Sequence, residues 1–252
     1  MTQELNAALE ELDAGSGPKA MHRCRVRLKR ARAVGRVGRS VAPGLAAVFN
    51  DSARTVMRQL GQARDLTALA DTARTLAVKA RRKNAPGLLH AADALETARL
   101  HLPERDLETI RAGIRDLIAL AQVWPEPSAR QIRAGAKRIA KRARRTRRHG
   151  RGADEARLRH EWRKREKDRL YASSLLDGAW PGPRRRKKSD SLGRLLGMER
   201  DILLLMERLE AEPSLAGGPE AAGRARRALR KHGARLRKRA DKLGDRLHAG
   251  GV

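Results

Sequence analysis

His22, Arg25, Lys29, Arg32 and Arg36 stand three and four residues apart. On a helix advancing 100° per residue, such positions fall within about 80° of one another and form a stripe about 21 Å long. A row of guanidinium and ammonium groups does one kind of chemistry well. It neutralises and hydrogen-bonds a string of anionic oxygens, each planar Arg fork meeting two oxygens at once. An imidazole in the row adds a donor and takes up a proton as the anion raises its pKa. Catalysis asks for other groups: paired carboxylates, or a His with an orienting partner. A His-based metal site needs a second ligand nearby at helical spacing. Neither accompanies His22.

The series recurs. "HRCRVRLK" at 22–29 aligns with "HEWRKREK" at 160–167, so His160, Arg163 and Lys167 repeat His22, Arg25 and Lys29 138 residues later, with Leu170 and Tyr171 continuing the stripe. "LGQARDLTAL" at 60–69 aligns with "LGMERDILLL" at 196–205, displaced by 136. A third pair matches Arg130, Arg133, Lys137, Lys141, Arg144 and Arg148 with Arg224, Arg227, Lys231, Arg235, Lys238 and Lys242, displaced by 94. The chain reads as a duplicated helical unit with the second copy trimmed. A solvated helix face normally interleaves acids with bases, whereas like charges at i,i+4 each cost a few tenths of a kcal/mol. These stripes carry no acids, which points to a surface that binds an anion. The basic loop "RRRKK" at 184–188 reads equally well as a solvated segment.

The elements that must hold these stripes are helices. Of 252 residues 40% are hydrophobic, but only 2% are aromatic. Ala, Leu and Arg favour helix, and strand-forming residues are scarce. Periodicity and Pro/Gly breaks predict helices at about 2–13, 19–40, 45–83, 88–101, 104–122, 128–148, 154–177, 190–211 and 220–248. Met21, Cys24, Leu28 and Ala31 flank the first stripe on one side, and Val26, Ala33 and Val37 on the other. That suits a helix packed on both sides, with its charges facing a groove. The expected organisation is a short helix and linker at 1–18, then two helical halves, 19–149 and 153–248, of one domain.

Lys and Arg total 58 against 29 Asp and Glu, a formal charge of +29, and 45 of the 58 are Arg. Such a field attracts polyanions. Cys24, the one cysteine, allows no internal disulfide and no Cys-based zinc site, and at its helical position it reads as a small buried hydrophobe. The acidic start is no signal peptide, and "ILLLM" at 202–206 is far too short to span a bilayer. A reducing, cytoplasmic setting without membrane partners is expected.

Together these residues resemble the CHAD domain, the conserved histidine α-helical domain. The resemblance is carried by His22-x-x-Arg25-x-x-x-Lys29-x-x-Arg32, Leu60-Gly61-x-x-Arg64-Asp65, His160-x-x-Arg163-x-x-x-Lys167 and Leu196-Gly197-x-x-Arg200-Asp201, over about 19–248. It implies an all-α fold of two pseudo-symmetric antiparallel helical bundles with a basic cleft or pore between them. It also implies non-catalytic binding of inorganic polyphosphate, often at polyphosphate granules, with no cofactor. The ligand-facing residues would be His22, Arg25, Lys29 and Arg32, then His160, Arg163 and Lys167. Arg36 and the closing stripes, Arg133, Lys137, Lys141 and Arg144 with Arg227, Lys231, Arg235 and Lys238, extend that set on the evidence of helical phase. Two departures stand out: Leu170 replaces an Arg, so that point of the site is either weaker or served by Arg169, and Arg200 replaces an Asn. No acidic triphosphate-tunnel domain, a frequent companion, lies in these 252 residues. Nucleic acid is the competing polyanion. Single-strand binders add aromatic platforms, and Tyr171 is the one aromatic on a basic stripe, but duplex DNA can be held through its phosphates alone. Oligomeric state is left open.

Overall fold

A computed structural model describes residues 1–15, 17–103 and 106–249, and for 62–64 the backbone alone. Its helices are α1 (Thr2–Asp13), α2 (Pro18–Val37), α3 (Pro43–Gln59), α4 (Gln62–Lys79), α5 (Ala85–Leu100), α6 (Leu107–Gln122), α7 (Ala129–Gly150), α8 (Ala156–Leu175), α9 (Arg186–Ala211) and α10 (Pro219–His248), with short 3-10 turns between some of them. Among the described residues there is no strand, so the fold is all-α as expected. None of these helices is long and apolar enough to cross a membrane.

Local chemistry sets the helix starts. Proline occupies the first turn of α2, α3, α5 and α10, where its missing N–H is no loss. Asp106 accepts from the Thr109 N–H (2.9 Å) to cap α6, and Ser128 and Gln131 form a reciprocal capping box on α7.

One predicted element is wrong. The helix expected over 45–83 is two, α3 and α4, broken at Leu60–Gly61. Each side of the break belongs to a different core. Phe49, Ala53 and Val56 of α3 pack with Leu5 and Leu12 of α1, Leu28 of α2 and Ile114 of α6. Leu69, Ala73 and Leu76 of α4 pack with Leu95 of α5, Leu205 of α9 and Leu229 of α10. The chain turns between the two bundles at Gly61, whose N–H reaches the Arg58 carbonyl (2.8 Å) and where a Cβ would stand only 2.9 Å from that oxygen.

These packing units cross the sequence halves. Helices α4 and α5, from the first half, share a core with α9 and α10, and α1 is an integral wall of the first bundle rather than an appendage. Two seams join the bundles. Ala33 and Val37 of α2 meet Ala136 and Ile139 of α7, Ala172 of α8 and Trp180. Trp162 of α8, fully buried, meets Leu192 and Leu196 of α9 and Ala240 and Leu247 of α10.

Candidate anion-binding cleft

The outward stripe of α2 opens into a cleft shared with α3, α7 and α8. Two adjoining cavities, about 750 and 430 Å³, have Arg32, Asp51 and Arg54 in common and form one continuous trough. Arg25, Arg32, Arg36 and Arg39 come from α2 and the turn that follows it, and Arg54 and Arg58 from α3. Arg138 and Arg142 come from α7 and Arg165 from α8. Among the described residues, nine arginines therefore face two lining carboxylates, Asp51 and Asp65.

The cations are fixed by neutral acceptors as much as by acids. Arg32 donates through Nη2 and Nε to Asn50 Oδ1 (2.8 and 3.2 Å). Arg36 reaches the same oxygen at 3.3 Å and Asp168 Oδ1 at 2.8 Å. Arg25, 8% exposed, donates to the Met57 carbonyl. Burial, with Arg36 alongside, pulls Arg32 down to about 10, so it still carries its charge at neutral pH. Burial lowers Arg36 as well, against the pull of Asp168, and burial together with Arg165 lowers Arg142. The arrangement stores like-charge repulsion that an entering anion relieves.

Several of these side chains escape a reading of the sequence. Gly135 of α7 lies so close to the Val37 carbonyl that a Cβ would overlap it, and this approach carries Arg138 and Arg142 to the cleft. Arg138 also donates to Ser40 Oγ (3.0 Å). The α7 stripe expected to bind is turned away. Arg133, Lys137 and Lys141 are exposed, Arg144 is half-buried, and none of the four lines the trough. Buried Ala136, Ile139 and Ala143 face the core, and the cleft lies on the flank of that apolar strip rather than on the far face. Arg54 and Arg58 escape notice because α3 sets Asp51 and several polar groups beside them.

His22 is exposed at the start of α2 and lines neither cavity, and Lys29 is half-buried outside them. His160 sits elsewhere, in a pocket of about 220 Å³ with Arg159, Arg200, Arg230 and Arg237, so the two histidines do not share a site. Burial first, then Lys164, Arg200 and Arg163, lowers the His160 pKa, and its Nδ1 is buried without a hydrogen-bond partner.

Around α8 the cations are tied to acids. Arg159 pairs with Glu199 (2.6 Å) and Asp241, and Arg165 with Asp168 (2.9 Å) and Glu161 (3.3 Å). Arg169 does not stand in for the arginine that Leu170 replaces. It is 5% exposed and bound to Glu166 (2.9 Å) and Ser189 Oγ (2.6 Å). Arg200, the other departure, lines the His160 pocket.

One contact repeats in both copies of the motif. Arg25 Nη1 lies 3.4 Å from where a Gly61 Cβ would be, and Arg163 Nε lies 3.8 Å from the equivalent point on Gly197. The Leu-Gly step thus gives each stripe arginine a bare backbone to lie on. Lys167 crosses Gly193 and stands 5.9 Å over the Tyr171 ring. The side chain of Arg64 lies outside the described residues. On α10, Arg227, Lys231 and Arg235 line a separate depression against α4, and Lys238 is exposed. Among the described residues, no three or more His, Cys, Asp or Glu side chains gather where a metal ion could sit.

Comparison with known proteins agrees with this architecture. The fold matches the crystal structure of the CHAD domain from the plant Ricinus communis at a TM-score of 0.67 and 21% identity, covering 99% of this chain and 86% of that one. No curated protein matches the chain. The CHAD domain family model matches residues 1–210, which takes in α1 and stops before α10. With most of its length matched by that model, the chain belongs to the CHAD domain family.

Proposed function

We propose that this chain binds inorganic polyphosphate without catalysis, and that the arginine trough on α2, α3, α7 and α8 is where the polyanion lies. The family is associated with polyphosphate binding. The observation that carries the reading for this chain is the ratio of nine lining arginines to two carboxylates along one trough. A phosphoanhydride chain offers repeating charge and no base edge, so rows of forked donors suffice to hold it. Phe49 is the single aromatic lining the trough and is 1% exposed, so it offers no ring to a stacked base.

In this reading Arg25, Arg32 and Arg36 keep the role expected of them, joined by Arg54, Arg58, Arg138 and Arg142, while Lys29, outside the trough, does not line the ligand's path. His160, Arg163 and Lys167 act as a further contact for the strand held in the trough and not as a site of their own, with His160 taking up a proton as the anion arrives. His22 is a peripheral donor. The expected setting is the cytoplasm, with the protein recruited to polyphosphate granules.

A competition titration at physiological salt tests the reading, with long-chain polyphosphate set against duplex DNA of equal total charge. Polyphosphate is expected to displace DNA. If DNA wins or ties, the chain is a non-specific nucleic-acid binder and the polyphosphate reading fails.

A further inference from the structure

A second basic depression lies apart from the arginine trough, where the first half of α10 faces the end of α4 and the turn at Arg82–Asn84. Lys79, Arg81 and Lys83 stand on one wall and Arg227, Lys231 and Arg235 on the other, around about 550 Å³ of open volume. The floor is apolar, made by Leu76, Ala80 and Ala228. Among the described residues, no carboxylate lines it. Glu220, at the start of α10, is held by Arg224 at the rim and is 87% exposed.

Unlike the cations around α8, those on the two facing walls have no acid between them. His232 lies among them, and burial followed by Lys79, Arg235 and Arg239 pushes its pKa down. Two rows of like charge held across a groove disfavour the folded chain until an anion enters. Geometry separates this groove from the trough. Gly61, just before α4, lines the trough and Lys79, at its tail, lines the groove, so they are about 27 Å apart along the helix from its 1.5 Å rise. Half of the groove's lining comes from α10, which lies beyond the residues that the family model matches.

We infer that the α10–α4 groove is a second, independent site for linear phosphoanhydride chains, so that one protein can bridge two polyphosphate strands. The inference rests on the polyphosphate reading of the trough, and adds to it valency: a protein with two separated sites links chains into a network, whereas one with a single site merely coats them.

The test is a calorimetric titration with linear polyphosphate too short to span the ~27 Å between the sites, joined to light scattering with long-chain polyphosphate. The unaltered chain is expected to take up two short chains and to form large assemblies with long ones. The pair K231E/R235E is expected to take up one and to scatter no more than a simple complex. A second pair on the facing wall, K79Q/K83Q, changes exposed side chains outside the trough and is expected to weaken the same site at least fivefold. Helicity by circular dichroism should not change in either. A stoichiometry of one in the unaltered chain, or of two in K231E/R235E, overturns the inference and leaves the trough intact. No binding of polyphosphate at all overturns the polyphosphate reading itself. Preference of the groove for duplex DNA, seen as DNA displacing the second short chain alone, overturns its assignment to phosphoanhydrides.

Discussion

Helices α2 and α8 carry the same outward series and opposite inward faces. On α2 the core side is Cys24 and Leu28, both fully buried, and burial with Glu11 pushes the Cys24 thiol up to about 12. At the equivalent places α8 has Trp162 and Glu166. Glu166 is buried with Arg169 (2.9 Å), the Trp162 indole (3.1 Å) and His248 of α10 (2.5 Å). Burial alone would raise its pKa, but the His248 hydrogen bond and Arg169 outweigh that and bring it to about 2. The cations around the two series diverge in turn: Arg25, Arg32 and Arg36 of α2 line an open trough with few acids, whereas Arg159 and Arg165, beside the α8 series, pair with Glu199, Asp241 and Asp168. One motif thus serves two ends. Arginines of the α2 copy line an open trough, and Arg159, beside the α8 copy, ties α8 to Glu199 of α9 and Asp241 of α10.

If that division is right, the largest loss of stability should come from the α8 side. Glu166→Ala strands Arg169 and His248 in the core, and a cost of about 3–5 kcal/mol is expected from chemical denaturation. Glu166 also sets an acid limit. Because its folded pKa lies below its unfolded value, its contribution is present above about pH 4.5 and is lost as the pH falls toward 2. A Glu166→Gln variant should flatten stability over that window.

The largest loss of binding should come from the α2 side. Arg54→Glu with Arg138→Glu, both on exposed parts of the trough, should weaken polyphosphate at least ~100-fold while leaving the denaturation midpoint within the range of ordinary surface changes. Arg25→Glu is different: it should lose fold as well as binding, since its guanidinium holds the Met57 carbonyl and covers Gly61.

A smaller effect separates the histidines. Burial and neighbouring cations hold the folded pKa of His160 below its ordinary 6.5, so it is neutral at pH 7, and in the proposed reading it takes up a proton as the anion binds. Affinity should therefore rise as pH falls from 7 toward 5.5, by up to about tenfold for one proton taken up, and His160→Ala should remove that rise. Without ligand the sign reverses, and stability falls as the pH drops below 6.5. The smallest change belongs to the outer face of α7: Lys137→Gln with Lys141→Gln should alter affinity less than about threefold, by screened long-range charge alone.

Helical phase made much of this legible. The sorting of Cys24 and Leu28 inward and Arg25, Arg32 and Arg36 toward the trough follows from 3.6-residue periodicity. Periodicity says which residues share a face, though, and not what that face meets. Hence Lys137 and Lys141 formed a tidy stripe that looks into solvent, while Arg138 and Arg142, on the shoulder of the apolar strip, reach the cleft. The break at Gly61 was hidden because the apolar repeat runs through it, and only the packing of Phe49 and Leu69 into different cores reveals the turn. The role of Glu166 was equally out of reach, since its partner His248 lies 82 residues away.

The most direct test of the α2 trough as the ligand surface is an arginine footprint: dicarbonyl modification of the folded protein, with and without polyphosphate, read by mass spectrometry. Protection is expected at Arg54, Arg58, Arg138 and Arg142, with Arg130, Arg133 and Arg148 on the outer side of α7 modified equally in both samples. Protection spread evenly over all surface arginines, or confined to Arg130, Arg133 and Arg148, would contradict it.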